Sequence, residues 1–449
     1  MQSALKPLLP FARRFREAGH ALYLVGGAVR NLALGAKPVD FDFASDATPE
    51  EVMKLFKRVL PTGVEHGTVT VLFRGEQYEV TTFRTEGRYS DGRHPDEVHF
   101  ARTIDEDLSR RDFTINAMAV ELPSWEFRDP YNGRKDLQRG LIRAIGVPEE
   151  RLREDGLRIL RAVRFAAQLD FQIEEPTFLA MKREQRRLAS VARERVRDEL
   201  EKALMSDHPA KALRLLRDAE LLAETIPELT GTLGRSQGTD SDYDLFEHLA
   251  LVTQFVPARI ELRLAALFHD VAKAWTLVES QDGRLAFPDH DTLSAEVAEN
   301  RLRELRFPNR TVEAVSRLVR HHMFAYSSDF GDGAIRRMIS KHGIDGARDL
   351  ITLRRADVAG KRGRPVPLPP MDELQDRLGR VVDEESALTR GDLAVDGKDL
   401  MSEIGVPPGP TIGRLLEELL ETVLDDPEMN EREKLLSLAR NVYRERMAR

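Results

Sequence analysis

The stretch LVGGAVRNLALGAKPVDFDFAS, residues 24–45, combines the two features that decide the fold of the first part of the chain. An apolar run ends at Gly26 and Gly27 and gives way to a helical pattern, which predicts a strand, a tight turn and a helix. Asp40 and Asp42 then alternate with apolar residues, and this period of two predicts a β-strand with both carboxylates on one face. Like charges held so close repel unless a cation lies between them. The alternative is an ordinary exposed strand.

The glycine turn and the two carboxylates could bind different parts of one ligand, a metal-bound triphosphate. Paired glycines allow a ligand close to the backbone, and the N-terminus of the next helix attracts anions. Arg30, one turn into that helix, adds a cation for phosphate. A triphosphate at Gly27 would present its reacting phosphate to metals held by Asp40 and Asp42, the two-metal arrangement for phosphoryl transfer. This stretch therefore predicts a phosphoryl-transfer site with bound Mg²⁺.

Other local motifs narrow the interpretation. Glu79, in YEVTTFR, lies on another predicted strand and is a candidate third carboxylate, with a plain exposed-strand role as the alternative. Neither GxxxxGK[ST] nor GxGxxG occurs in the chain, which removes the commonest NTPase and dinucleotide-binding interpretations.

The composition is that of an ordinary globular protein, 449 residues long with 41% hydrophobic and 32% charged residues. This length predicts about three domains. The absence of cysteine excludes disulfides, thiolate metal sites and a cysteine nucleophile. No apolar run is long enough to span a bilayer, and the N-terminal 20 residues predict an amphipathic helix rather than a signal peptide. We therefore expect a cytoplasmic protein with no membrane association.

The charge is unevenly distributed. The net charge is −8 (68 Lys and Arg against 76 Asp and Glu), which taken alone argues against nucleic-acid binding. The segment MKREQRRLASVARERVR, residues 181–197, nevertheless carries seven cations and two carboxylates. This segment predicts a basic stripe on an otherwise acidic protein.

Strand patterns are confined to the first third of the chain, and helical periodicity takes over from about residue 149. Two stretches rich in small residues or proline predict linkers, TGTLGRSQGTDSD at 230–242 and KRGRPVPLPP at 361–370. The fold class predicted is α+β, with a head containing a mixed sheet followed by three all-α parts.

Five ordered motifs give the chain a family resemblance. They are LVGGAVRNLALG with VDFDFA, LSRRDFTINAMAV, DPYNGRKDLQRGLIRAIG, REDGLRILRAVRFAAQLDF and the C-terminal LAVDGKDLMSEIGVPPGPTIGRLLEELL. Together they resemble the bacterial class II tRNA nucleotidyltransferases, which comprise CCA-adding enzymes and their poly(A) polymerase relatives in the polymerase β superfamily. The resemblance implies a nucleotidyltransferase head (1–146), a neck that selects the base (147–225), a helical HD-type body (226–375) and a tRNA-binding tail (376–449).

The resemblance places base selection at Glu154, Asp155 and Arg158, and the chemistry of these residues agrees. We expect Asp155 and Arg158 to project from one face of a helix. A carboxylate beside a guanidinium matches the amine and ring nitrogen of cytosine and adenine, whereas uracil and guanine present like groups. Each mismatch leaves a buried polar group unpaired, at a cost of about 1–3 kcal/mol. An i,i+3 salt bridge on a helix surface is the alternative.

Further positions follow from the same resemblance. Arg161 and Arg164 continue the helix face of Arg158 and suit a triphosphate or RNA backbone. Arg111 matches a position that helps to hold the nucleotide, whereas we expect Asp112 to orient the arginines. The polar segment 85–108 resembles the flexible loop implicated in the switch from C to A addition, and Glu194 with Arg195 resembles the last neck motif, with structural and RNA-contact roles both open.

The third part of the chain contains an ordered set of imidazoles and carboxylates that suits a divalent transition metal. These candidate ligands are His248, His269, Asp270, His290, His322 and Asp357. LFHDVAKAW and RRADVAG within this set resemble the HD phosphohydrolase signature, which implies either a metal-dependent hydrolase or a scaffold.

The function implied by the resemblance is template-independent addition of CCA to the tRNA 3′ end from CTP and ATP. The expected partners are the 3′ end and acceptor arm of tRNA, read by backbone and 2′-hydroxyl contacts, with no protein partner required. The alternatives are an A-adding or CC-adding enzyme, a poly(A) polymerase, or chiefly an HD phosphohydrolase with a degenerate head. A non-catalytic tRNA-binding protein fits least, because every carboxylate and arginine that the chemistry needs is present.

Overall fold

The computed structural model describes residues 5–38, 40–86, 98–237, 241–279, 285–384 and 388–447. The chain forms two compact units, residues 1–230 with 301–307, and residues 231–300 with 308–449. The predicted finer division into head, neck, body and tail stays a prediction.

The first unit contains a mixed seven-stranded sheet in the order β3-β4-β5-β2-β1-β8-β9. Its strands are β1 Leu22–Val25, β2 Asp42–Ser45, β3 Val59–Gly63, β4 Thr68–Phe73, β5 Glu76–Thr82, β8 Ala119–Leu122 and β9 Phe127–Arg128. Only β2 and β5 run parallel, and the other neighbouring strands are antiparallel. Two short ladders complete the strands of this unit, β6 Arg84–Glu86 with β7 Val98–Phe100, and β10 Leu141–Ile142 with β11 Gln172–Ile173.

Eleven described α-helices accompany these strands in the first unit. They are α1 Leu9–Glu17, α2 Gly27–Ala33, α3 Pro49–Leu55, α4 Ile104–Ser109, α5 Gly133–Arg139, α6 Pro148–Glu154, α7 Leu157–Leu169, α8 Glu175–Glu184, α9 Arg193–Leu204, α10 Pro209–Asp218 and α11 Leu222–Thr225. The mixed sheet followed by helices confirms the predicted α+β head and the shift to helical structure near residue 149.

The N-terminal helix α1 is amphipathic, as its sequence predicts. Phe11 and Phe15 are fully buried on its apolar face, whereas its arginines are exposed. The Phe11 ring centroid lies 5.2 Å from that of Phe43 on β2 and 4.7 Å from that of Tyr78 on β5. This aromatic core holds β2 and β5 against one helix, and so fixes the two strands that carry the site carboxylates.

The opening motif folds as a strand, a turn and a helix, but its carboxylates differ from the expectation. β2 begins at Asp42, so Asp40 lies ahead of the strand instead of within it. The expectation that both carboxylates belong to one strand is therefore wrong in this detail. Pro38, which cannot donate to a strand ladder, precedes Asp40 by two residues and is consistent with a late strand start.

The described part of the second unit is helical apart from one short antiparallel ladder, β12 Val278–Glu279 with β13 Leu285–Ala286. The helices that begin in it are α12 Leu245–Phe255, α13 Ile260–Phe268, α14 Lys273–Thr276, α15 His290–Glu304, α16 Asn309–Arg320, α17 Asp332–Arg362, α18 Pro369–Asp383, α19 Gly397–Asp399, α20 Pro410–Asp425 and α21 Arg432–Met447. Gly343 kinks α17, with φ at 73°. Residues 363–368 of the predicted proline-rich linker connect α17 to α18 within this unit, and its role as a domain boundary stays a prediction.

Two further expectations concern segments with undescribed residues. Within the predicted flexible loop at 85–108, residues 87–97 lie outside the described part of the chain. The predicted linker at 230–242 likewise contains residues 238–240, which are not described. Across the residues that are described, the helices are all too short or too polar to cross a bilayer.

Candidate active site

Side chains from both the sheet and the helices of the first unit enclose a cavity of about 660 Å³. Eight of the nine predicted catalytic and nucleotide-binding residues line it: Gly27, Arg30, Asp42, Arg111, Asp155, Arg158, Arg161 and Arg164. Asp40, the ninth, lines a neighbouring cavity of about 1030 Å³ together with Asp42 and Glu79. The fold therefore brings together residues that are far apart in sequence. Asp42 and Glu79 line both cavities.

The glycine turn lies at one wall of the smaller cavity. Gly26 has φ 65° and ψ −134°, a conformation that side chains disfavour. A Cβ on Gly26 would lie 3.1 Å from an Nη atom of Arg111. Glycine therefore provides both the backbone shape and the space for Arg111 to reach the cavity.

Strand pairing brings two carboxylates together. Asp42 on β2 is the direct neighbour of Glu79 on the parallel strand β5. Burial raises the pKa of Asp42 and the negative charge of Asp40 raises it further, while the charge of Arg111 opposes the shift. Burial and the charge of Asp42 likewise raise the pKa of Glu79. These carboxylates repel one another, so a bound cation would be stabilised between them.

Three arginines of the same cavity surround the ring of Phe165. The guanidinium carbons of Arg30, Arg161 and Arg164 lie 4.9, 5.5 and 4.1 Å from the ring centroid. Burial, followed by the charge of Arg164, lowers the pKa of Arg30 to about 10. Burial also lowers the pKa of Arg164. The cluster is positive charge held in place before any anion binds.

Asp112 and Asn116 connect this cluster by hydrogen bonds. Arg161 Nε donates to Asp112 Oδ2 over 2.7 Å, and Asn116 Nδ2 donates to Asp112 Oδ1 over 2.9 Å. Arg30 Nη1 in turn donates to Asn116 Oδ1 over 2.6 Å. Burial alone would raise the pKa of Asp112, but Arg161 and Asn116 lower it to about 2. The contacts support the expectation that Asp112 orients the arginines.

The base-selecting motif does not lie on one helix, contrary to the expectation. Helix α6 ends at Glu154, Asp155 is extended with φ −142° and ψ 108°, and α7 begins at Leu157. At Gly156 the chain packs so closely that an added Cβ would lie 2.8 Å from the carbonyl oxygen of Arg187. The i,i+3 argument for Asp155 and Arg158 is therefore wrong, although both residues line the same cavity.

The alternative prediction was a salt bridge between Asp155 and Arg158, but each of these residues has other partners. Arg158 is buried and donates through Nη2 to the carbonyl of Arg110 over 3.0 Å and through Nη1 to the carbonyl of Arg151 over 2.9 Å. It also forms an ion pair with Glu154. Asp155 instead pairs with Arg195.

Sequence reasoning left three residues of the site without a role in it. Asn116 lies in the RRDFTINA motif and Phe165 in the α7 motif, and neither was named individually, whereas Arg195 was named in the last neck motif with its role left open. Most of the charged side chains in the predicted basic stripe at 181–197 form ion pairs. For example, Arg183 of the stripe contacts Glu149, and Glu184 of the stripe contacts Arg153.

The second unit brings the six predicted HD residues together. Potential ligand atoms of His248, His269, Asp270 and Asp357 lie within 4.8 Å of one another, and so do those of Asp270, His290 and His322. All six residues are buried. No other cluster of three or more such groups at this spacing occurs among the described residues.

Hydrogen bonds to backbone carbonyls orient three of the imidazoles in this cluster. The Nδ1 atoms of His269, His290 and His322 each lie 2.7–2.8 Å from a backbone carbonyl, which holds Nδ1 protonated and leaves the Nε2 lone pair facing inward. His290 Nε2 and His322 Nε2 are buried without a hydrogen-bond partner among the described residues. Such a donor set fits a divalent transition metal.

Three family models match the chain in order. They are the poly A polymerase head domain over residues 22–143, the "Probable RNA and SrmB-binding site of polymerase A" over 170–233, and tRNA nucleotidyltransferase domain 2 over 279–439.

Full-length relatives agree with these matches. The CCA-adding enzyme of Ligilactobacillus salivarius is 34% identical over 98% of this chain and 98% of its own length, and that of Geobacillus stearothermophilus is 32% identical over 99% and 100%. The crystal structure of the Bacillus stearothermophilus CCA-adding enzyme in complex with CTP matches the fold with a TM-score of 0.75, at 30% identity and over all of both chains.

Proposed function

The chain belongs to the class II CCA-adding enzymes, a family of tRNA nucleotidyltransferases, and on that premise we propose that it adds CCA to the 3′ end of tRNA from CTP and ATP, releasing pyrophosphate. The observation that carries the proposal is the single cavity shared by Asp42, the arginine cluster and Asp155. It offers carboxylates for metal ions, cations for a triphosphate and a carboxylate for a base amine, which are the three requirements of the reaction.

Asp40, Asp42 and Glu79 would hold Mg²⁺, because carboxylate oxygens are its preferred ligands and the repulsion among these groups favours a cation. Ions held there would supply charge stabilisation for phosphoryl transfer. Arg30, Arg161 and Arg164, which line the same cavity, bind and orient the triphosphate.

Choice of base follows from hydrogen-bonding chemistry without a nucleic-acid template. The Asp155 carboxylate accepts from the exocyclic amine that cytosine and adenine share, and Arg158 contributes to the shape and charge of the same wall. Uracil and guanine present a carbonyl at that point and leave the carboxylate unpaired, which costs about 1–3 kcal/mol.

The proposal is tested with tRNA that lacks its 3′ CCA, incubated with CTP alone, ATP alone and both, followed by sizing of the products. Two additions with CTP alone and a third only with ATP support a complete CCA-adding enzyme. Addition limited to A or to CC identifies a partial enzyme, and an A tract of undefined length identifies a poly(A) polymerase.

The catalytic carboxylate gives a sharper test. Asp42→Asn should reduce kcat for C addition by at least about 1000-fold, since metal-dependent phosphoryl transfer loses a ligand. Binding of tRNA, measured by filter retention, should stay within about twofold of the wild type. Near-normal addition by this variant would contradict the two-metal assignment.

The buried cluster of the second unit supports a second candidate function, a metal-dependent phosphohydrolase. The observation that favours it is the convergence of six ligands with inward-facing Nε2 atoms. Bound metal is measured by elemental analysis of the purified protein and of a sample reloaded with Mn²⁺, Co²⁺ or Ni²⁺, alongside hydrolysis of p-nitrophenyl phosphate and its diester. A protein that takes up no metal in this cluster would contradict the proposal.

A further inference from the structure

A further pocket lies in the second unit, between residues 324–330 and the helices α17 and α18. Its volume is about 240 Å³, and none of its lining residues belongs to the nucleotide cavity or to the histidine and carboxylate cluster. Three aromatic and three aliphatic side chains form most of its wall: Phe324, Tyr326, Phe330, Ile335, Met338 and Leu374. An apolar cavity of about 150 Å³ holds one benzene ring, so this pocket has room for two fused rings.

Arg377 fixes the aromatic side of the pocket. It is buried, and its guanidinium donates to Asp332 Oδ1 over 2.7 Å and to Tyr326 Oη over 3.3 Å. It also donates to the backbone carbonyls of Ser328 and Phe330. One side chain therefore holds the segment that carries the three rings, and a ligand would bind to walls that are already in place.

The two cations that line the pocket differ in their partners. Arg337 forms ion pairs with Glu421 and Asp425. Lys341 is exposed, and its side chain has no ion pair or hydrogen bond with a described residue. The ammonium of Lys341 is therefore available to an anionic group of a ligand whose apolar part occupies the pocket.

His342, which also lines the pocket, contributes an unsatisfied nitrogen. Its Nδ1 is buried and has no hydrogen-bond partner among the described residues. The ring packs edge-on against His321 with centroids 4.8 Å apart, and burial, followed by the charge of His321, lowers the pKa of His342 to about 4. The imidazole is therefore neutral at pH 7 and has one donor and one acceptor nitrogen. A ligand ring with its own hydrogen-bonding atoms suits this wall better than a hydrocarbon ring.

We propose that this pocket binds a purine nucleoside monophosphate, with the purine between the aromatic rings and Met338 and the phosphate on Lys341. A purine supplies both the two fused rings that the volume admits and the ring nitrogens that can pair with His342. The ligand is a free nucleotide, because one unpaired lysine suits a single phosphate, whereas an RNA strand is held by several cations along its backbone. Since the pocket is separate from both candidate centres, the nucleotide binds there as an effector and not as a substrate.

Equilibrium dialysis of the full-length protein with labelled AMP tests the site, in the presence of excess CTP to occupy the cavity of the first unit. One equivalent of AMP should bind per chain. Lys341→Met should weaken AMP binding about tenfold and leave adenosine binding within about twofold, because adenosine has no phosphate. Lys398→Met is the matched control, since Lys398 is an exposed lysine of the same unit that does not line the pocket, and it should change neither affinity.

A second variant removes the space and not the charge. Ala334 lines the pocket and is partly exposed, so Ala334→Phe should fill it and abolish binding of both AMP and adenosine, in a protein whose unfolding temperature shows that it is folded. Wild-type affinity for AMP in either Lys341→Met or Ala334→Phe would overturn the proposal, as would the absence of AMP binding to the wild type. Displacement of AMP by tRNA that lacks its 3′ CCA would also overturn it, because the pocket would then belong to an RNA-binding surface.

Discussion

Asp112 illustrates how one buried carboxylate organises a site without touching the reacting atoms. It accepts hydrogen bonds from Arg161 and from Asn116, which in turn accepts one from Arg30. The three arginines around Phe165 repel one another, and a negative charge beside Arg161 offsets part of that repulsion. Glu199 likewise pairs with Arg164, so the three arginines and these two carboxylates keep a net positive charge, which favours binding of an anionic triphosphate.

The low pKa of Asp112 predicts how the stability of the protein depends on pH. The pKa is about 2 in the folded protein against 3.8 for an unperturbed aspartate, so the ionised group stabilises the fold above pH 3.8. That contribution is lost as the pH falls from about 4 to about 2. Asp112→Asn should reduce the free energy of unfolding at pH 7 by about 2–4 kcal/mol, because Arg161 also loses its ion pair.

Urea unfolding of the wild type and of Asp112→Asn at pH values from 7 to 2 measures this effect. The difference between the two proteins should shrink over the interval from pH 4 to pH 2. A difference that stays constant down to pH 2 would show that the charge of Asp112 does not contribute to stability.

Among the structural elements, the break between α6 and α7 is the one that the sequence pattern concealed. REDGLRILRAVRF has continuous helical periodicity, and a single glycine does not end a helix by itself. The structure ends α6 at Glu154 because Gly156 packs against the backbone at Arg187, a contact between residues 31 positions apart. Local periodicity contains no information about such a contact.

Local sequence patterns also leave out the long-range pairing of the strands. The sequence predicted β1, β4 and β5 and the turn after β1 correctly, and β2 with too early a start, since alternation and glycine are local signals. It identified Glu79 only as a candidate, because the parallel pairing that places Glu79 beside Asp42 depends on strand order. Arg195 was likewise recognised as part of a motif, but its contact with Asp155 spans 40 residues.

The close packing at Gly156 leads to a prediction about the break between α6 and α7. Its φ of −57° suits any residue, so Gly156→Ala introduces only a steric conflict with the Arg187 backbone. We expect a loss of about 1–3 kcal/mol in the free energy of unfolding and a reduced preference for CTP over UTP, because Asp155 must shift. Gly63→Ala is the control, since its Cβ would make only ordinary contacts, 3.5 Å at the nearest. Unchanged stability and preference in Gly156→Ala would show that the break tolerates the added methyl group.

At the scale of the whole molecule, the two candidate chemistries lie in different compact units. The nucleotide cavity belongs to the first unit, and the six-residue histidine and carboxylate cluster belongs to the second. The sequence predicted both sets because each consists of recognisable motifs. Convergence of the six ligands required the structure, since they are drawn from a span of 110 residues, from His248 to Asp357.

This separation predicts that each site can be removed without loss of the other. Asp270 is the sharpest position to change, because its carboxylate lies within 3.5 Å of an Nε2 atom in each of the four histidines. Asp270→Asn keeps the shape of the side chain but removes its charge, so bound transition metal and phosphoester hydrolysis should both be lost. Addition of C and A to tRNA should stay within about twofold of the wild type.

Asp42→Asn should give the reverse, with metal content in the second unit retained and nucleotide addition lost. If Asp270→Asn stops nucleotide addition in a protein that still unfolds at the wild-type temperature, the two sites are not independent.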